Sequence, residues 1–172
     1  DGSGDIGAVH KITQTGFTHN NRDISFSCWY RADVPWDVSP SQTALFSMVN
    51  GTEAYRTLWI GLEGSDDVPT FRGYIGDGTN YDSISAYNFT DDQIEKWNHY
   101  AVTLSTGNTN SYTVKLYING VQVISDSIHT RSYDSTARAP QVGDSGYRNL
   151  DGLMKDWRCY GTELDIDDIK IL

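Results

Sequence analysis

Along most of the chain, short runs of β-branched and aromatic residues alternate with polar ones, and Gly, Asn, Asp, Ser or Pro separate one run from the next. A period of two gives each run one apolar face, the signature of half-buried strands, while helical periodicity is nearly absent. The pattern predicts strands over residues 9–13, 24–31, 44–49, 57–62, 70–75, 83–89, 99–104, 112–118, 121–127 and 153–160. So many short strands do not fit one small sheet. Two facing sheets accommodate them, because each strand can turn alternate residues into a shared core. The expected fold is all-β: a two-sheet antiparallel β-sandwich with one or two short helical turns.

Local signals sharpen this layout. In Lys115-Leu116-Tyr117-Ile118-Asn119-Gly120-Val121-Gln122-Val123-Ile124, two alternating segments flank Asn-Gly, and both turn residues tolerate the positive φ of a type I′ hairpin. Residues 90–94 open with Thr90 and two acids, and residues 165–169 begin similarly, so each is expected to form one helical turn capped at its N-terminus. Residues 33–40, with Pro35, Trp36 and Pro40, read as a loop. No repeat, linker or low-complexity tract divides the chain, and residues 1–172 are taken as one domain. Its first residue is Asp1 and not methionine, which suggests a processed product or a module of a longer polypeptide.

Charge then narrows the partners. Thirteen Lys and Arg against 23 Asp and Glu leave a net charge of −10. Nucleic-acid binding relies on cations that displace counterions from phosphates, so an acidic chain is a poor general ligand for DNA, RNA or anionic lipid. No apolar run approaches the ~20 residues of a membrane span, and no basic-then-apolar leader is seen, so membrane insertion is not expected. Neutral glycans, cations and protein surfaces remain. A chain of 172 residues buries enough surface to need no metal or disulfide for a core. The two cysteines, Cys28 and Cys159, allow one bridge or two buried thiols. With no CxxC pair or Cys/His cluster, a zinc site is not indicated.

Three sets of residues resemble the laminin G-like and pentraxin-like branch of the concanavalin A-like superfamily. They are the opening Asp1-Gly2-Ser3-Gly4-Asp5, the strand Ile24-Ser25-Phe26-Ser27-Cys28-Trp29-Tyr30-Arg31, and a linked series. That series runs from Trp97-Asn98-His99-Tyr100-Ala101-Val102-Thr103 through residues 114–120 to Leu150-Asp151-Gly152, Trp157-Arg158-Cys159-Tyr160 and Glu163-Leu164-Asp165. Met154 and Lys155 depart from the family pattern, as do the two cysteines, which stand where apolar residues are common. The resemblance implies a concanavalin A-like jelly roll over nearly the whole chain. It also implies that the strands of Cys28 and Cys159 are neighbours, which brings the bridge level with the free-thiol alternative.

Enzymes share that fold, so catalysis is judged on residues. Retaining glycoside hydrolysis needs two carboxylates about 5 Å apart, on a strand at alternate positions. The ExDxxE strand of the related glucanases is missing; Glu63 with Asp66 and Asp67 comes nearest, but Gly64-Ser65 reads as a turn. His99 reads as a packed residue rather than a base. The chain is therefore expected to be non-catalytic, with a glycan-cleaving enzyme only as a remote alternative.

Two kinds of site remain. The resemblance implies a structural Ca²⁺ held by Asp1, Asp5 and Asp151, and the acidic, glycine-rich loop at Asp77 offers a second cation position. For glycans, an aromatic platform flanked by hydrogen-bonding side chains is required. If Leu58, Ile60 and Leu62 point inward, Trp59 points out, and alternation on the next two strands adds Arg72, Tyr74 and Tyr87 to that face. Trp36 in its loop is a further anchor. The expected function is a glycan-binding or adhesive recognition module of an extracellular, cell-surface or virion protein. The alternative is a structural assembly module that packs against copies of itself or other chains.

Overall fold

The computed structural model describes residues 12–13, 23–32, 42–48, 58–65, 68–76, 81–106, 111–128, 140–142 and 152–172. Among the described residues eleven strands run in chain order as β1 (Ile12–Thr13), β2 (Ile24–Ala32), β3 (Gln42–Met48), β4 (Leu58–Ser65), β5 (Val68–Gly76) and β6 (Tyr81–Asn88), then β7 (Asn98–Thr106), β8 (Tyr112–Ile118), β9 (Val121–Ile128), β10 (Gln141–Val142) and β11 (Gly152–Tyr160). Two short helices, α1 (Asp91–Ile94) and α2 (Ile166–Lys170), occupy the segments expected to turn. A six-stranded sheet in the order β1-β10-β3-β4-β5-β6 faces a five-stranded sheet in the order β11-β2-β7-β8-β9, and every pairing is antiparallel. This is the predicted sandwich.

Alternation explains the core. Phe26, Cys28 and Tyr30 of β2 and Tyr100, Val102 and Leu104 of β7 meet Phe46 of β3, Leu58, Ile60 and Leu62 of β4, and Phe71 and Ile75 of β5, all essentially inaccessible. Phe26 and Phe46 stack across the two sheets with centroids 5.0 Å apart. Burying each such side chain contributes about 1.5 to 3 kcal/mol. Gly73 leaves no room for a side chain here, since a Cβ on it would lie 2.8 Å from the Trp59 backbone carbonyl oxygen as well as against the ends of the Ile60 and Ile84 side chains.

Trp157 ties the layers together. A bulge between Lys155 and Arg158, with Asp156 at φ 53°, turns the indole inward against Phe26 and Phe46, and its Nε1 donates to the Leu45 carbonyl at 3.2 Å. Along one side of the sandwich the edge strands β6 and β9 are latched: the Ser85 amide and hydroxyl both donate to Asp126 Oδ2, at 2.9 and 2.8 Å. The hairpin between β8 and β9 is the expected one, with Asn119 at φ 50° and Gly120 at φ 74°. Asp165 caps α2 in a reciprocal pair with Asp168, and Ile169 packs on Ala101 and Tyr117, covering part of the outer face of the five-stranded sheet.

Several expectations are corrected. Gly64 and Ser65 continue β4 instead of turning. The two-residue β10 was not foreseen; a pair of residues has no period to detect. Both cysteines are free, and the β11–β2 register sets Phe26, not Cys28, opposite Cys159. Burial raises the Cys28 thiol pKa and pushes that of Cys159 up to about 12, so both remain protonated at neutral pH.

Candidate functional site

The outer face of the six-stranded sheet carries the anticipated aromatic and charged residues, centred on Tyr74. Strand pairing sets Trp59 beside Tyr74, Gly61 beside Arg72 and Glu63 beside Thr70, so the outward positions of β4 and β5 form one surface. The Tyr74 hydroxyl donates to Glu63 Oε2 at 2.8 Å, and Arg72 Nη1 lies 3.3 Å from the same oxygen. The Arg72 guanidinium also sits 4.9 Å from the Tyr74 ring centroid. Trp59 packs beside Tyr74 at 5.5 Å, and Tyr81 meets it edge-on at 5.2 Å. Burial, and then the bond to Glu63, holds the Tyr74 phenol well above its ordinary pKa, so it stays protonated as a donor. Tyr81 is the open part of the cluster, 52% exposed.

Two members of the expected set are corrected. Trp59 points outward as the alternation required, yet none of its surface is accessible. Its indole passes over Gly61, where a Cβ would come within 2.8 Å of Trp59 Cζ2, and Tyr74 closes its flank. It is a support for the face rather than a platform on it. Tyr87 turns the other way. A bulge between Phe71 and Gly73 sets Tyr87 opposite the inward Phe71 and Ile84 opposite the inward Gly73, so Tyr87 packs against the core and Ala86 is exposed. One extra residue in a strand reverses every face beyond it. Arg72 and Tyr74 stand where expected, half-buried. Trp36 and the cation candidates Asp1, Asp5, Asp77 and Asp151 lie outside the described residues, as do Asp66 and Asp67. Among the described residues no group of three or more His, Cys, Asp or Glu side chains could hold a metal ion.

A second cluster occupies the outer face of the five-stranded sheet. Lys155, Trp29 and His99 lie in one row across β11, β2 and β7. The Lys155 ammonium sits over two indoles, 5.5 Å from the Trp29 centroid and 4.8 Å from that of Trp97, and the Arg31 guanidinium is 5.7 Å from Trp97. His99 packs on Trp29 at 5.4 Å and is only 5% exposed. Burial, and next the nearby Arg158, lowers its pKa, so the imidazole is neutral at pH 7. The signal for this cluster was present: Trp29 and Arg31 alternate with the core residues Cys28 and Tyr30. Pairing with Lys155 across β11 was not visible, because the bulge there breaks the alternation. Nearby, a cleft of about 410 Å³ runs between Lys115, Tyr117 and Gln122 on the sheet and the segment before α2, bridged by Lys115 Nζ to Glu163 Oε1 at 2.8 Å.

Residues 3–170 match a laminin G-type family model described as the concanavalin A-like lectin/glucanases superfamily. Among curated proteins, none matches the chain in sequence. Solved structures with this fold include the receptor-binding domain of botulinum neurotoxin D, at TM-score 0.65 and 17% identity over 94% of this chain and 40% of that one. The type G receptor-binding domain matches at TM-score 0.60 and 15% identity, over 94% of this chain and 40% of its own. The binding domain of botulinum neurotoxin DC, solved in complex with rat synaptotagmin II, matches at TM-score 0.60 and 16% identity, over 94% of this chain and 38% of that one. The chain thus spans about 40% of the length of the solved structures it resembles, and at these identities the likeness is one of fold.

Proposed function

Since the chain belongs to the concanavalin A-like lectin/glucanases superfamily, we propose that it is a non-catalytic recognition module, binding glycan or an adhesive partner in an extracellular, cell-surface or virion setting. The observation that carries this reading is the Tyr74 cluster. Its carboxylate, guanidinium and two phenols are held in fixed positions by one another, and Tyr81 offers an open ring edge beside them. A sugar presents an apolar face and a ring of hydroxyls, and such a set meets both demands. Glu63 already accepts from Tyr74 and pairs with Arg72, which suits a hydrogen-bonding anchor better than a general acid. The neurotoxin neighbours include receptor-binding domains and one binding domain solved in complex with rat synaptotagmin II, which favours a protein surface as the second occupant. Packing against copies of itself in an assembly is the structural version of that second reading. Among the described residues no helix is long and apolar enough to cross a membrane.

A structural Ca²⁺ on Asp1, Asp5 and Asp151, or at Asp77, is part of the same proposal. A glycan array run with Ca²⁺ and again with a chelator tests both. Binding to one neutral sugar class, reduced at least about tenfold by Arg72→Ala or Tyr81→Ala, supports the glycan reading. Silence across the array, with self-association in sedimentation, moves the assignment to assembly. A melting temperature unchanged by the chelator removes the ion.

A further inference from the structure

The cluster on the five-stranded sheet differs from the Tyr74 cluster in its charge. Arg31, Lys155 and Arg158 share that outer face: Arg31 lies two residues from Trp29 on β2, and Lys155 and Arg158 pair with Trp29 and Ser27. Among the described residues, ion pairs join Arg72 to Glu63, Lys115 to Glu163 and Lys170 to Asp167, and Arg31, Lys155 and Arg158 enter none of these. In a chain of net charge −10, three neighbouring cations without an acidic partner among the described residues are unusual. Acids outnumber bases 23 to 13, so counter-charges are plentiful elsewhere.

The aromatic residues position the cations. Trp97 lies under both Lys155 and Arg31, and Trp29 is flanked by Lys155 and His99. Contact with an indole face holds a cationic side chain in place without neutralising it. His99, neutral and buried, adds no charge and fixes the far side of Trp29. Two like charges over one indole repel, and an anion bound beside them relieves that repulsion. Burial of Ala101 and Tyr117 under Ile169 ends the open face on its other flank.

We propose that this face is a second binding site, separate from the Tyr74 cluster, and that it takes a carboxylated glycan. Guanidinium forks match planar carboxylates in bidentate fashion, Lys155 supplies a central point charge, and the partly exposed edges of Trp29 and Trp97 offer apolar contact to the sugar ring. The net charge of the chain repels polyanions at long range, so selectivity resides in these local contacts.

Quenching of tryptophan fluorescence by a galacturonate hexamer tests the proposal on the intact chain. Saturable quenching is expected, weakened at least about tenfold in Lys155→Gln/Arg158→Gln and unchanged in Tyr81→Ala, with circular dichroism confirming that both variants fold. Both substitutions remove exposed side chains, so folding is expected to persist. The Tyr81 variant separates this site from the Tyr74 reading, since each can fail alone. Absence of quenching overturns the proposal, as does quenching that survives the double substitution. Equal binding of a neutral glucose hexamer removes the role of charge. Equal binding of sulfated dextran removes the preference for carboxylate. Capture by phosphatidylserine vesicles through the same residues, without galacturonate binding, assigns the face to membranes instead.

Discussion

Both outer faces of the sandwich carry tryptophan, tyrosine or histidine beside cations, yet the two are built to different ends. On the six-stranded sheet, Arg72 has Glu63, Trp59 is wholly buried over Gly61, and Tyr74 fills the space between them. That cluster is neutral in charge and packed from beneath. On the five-stranded sheet, Arg31, Lys155 and Arg158 rest on or near indoles without an acid among the described residues, and the tryptophans are only partly buried. Cation–aromatic contact alone therefore does not identify a site. Whether the cation also has a counter-charge, and whether the ring retains open surface, distinguishes a charge-compensated cluster from one whose positive charge is left uncompensated.

The comparison predicts its largest effect at the tryptophans. Trp59→Ala should cost about 3 to 5 kcal/mol in urea unfolding, because a buried indole leaves a cavity under Tyr74. Trp97→Ala should cost only about 1 kcal/mol, the scale of an exposed cation–π contact. Equal losses would show that both faces are structural and dissolve the distinction.

Tyr74→Phe comes next, at about 1.5 kcal/mol, since it removes a donor to a carboxylate while the ring stays. A loss near zero would mean that solvent replaces the hydroxyl and that the cluster is looser than its geometry implies.

The pH response should differ between the faces as well. His99 has a folded pKa below its ordinary 6.5, so between the two values the unfolded chain binds more protons and stability rises with pH. Its contribution is complete above pH 6.5 and declines as pH falls below it. Melting temperatures from pH 7.5 to 5 should fall in the parent and fall less in His99→Gln; parallel curves would place the titration elsewhere.

The smallest effect concerns the latch between the sheets. The Ser85 amide is the leading cause that holds the Asp126 carboxyl below its ordinary 3.8, so the bond stabilises the fold above that pH and is lost as acid protonates it. Asp126 is half-exposed and solvent screens it, so Asp126→Asn should lower stability only slightly at pH 7, and the difference from the parent should vanish as acid protonates the carboxyl. A shift at pH 7 of the size seen for Tyr74→Phe would make the latch as important as the outer-face cluster.

Much of this molecule was legible as sequence. Alternation located nine strands of three or more residues that the structure describes, the Asn119-Gly120 turn declared the hairpin, and Asp165 announced α2. Each depends on neighbours within a few residues, which is the range over which backbone preference and face are set. Arg72 and Tyr74 were placed correctly for the same reason. What only the tertiary structure decided lies across strands. Tyr87 faces the core because a bulge opposite the Phe71–Gly73 stretch shifts its register, Trp157 turns inward at the β11 bulge, and the β11–β2 register places Cys159 across from Phe26 instead of Cys28. Trp59 is outward and yet buried because Gly61 leaves room for its indole to lie down and Tyr74 covers its flank. Alternation assigns a side chain to a face. How far that face is covered, and which charges meet on it, depends on pairings between residues far apart in the chain.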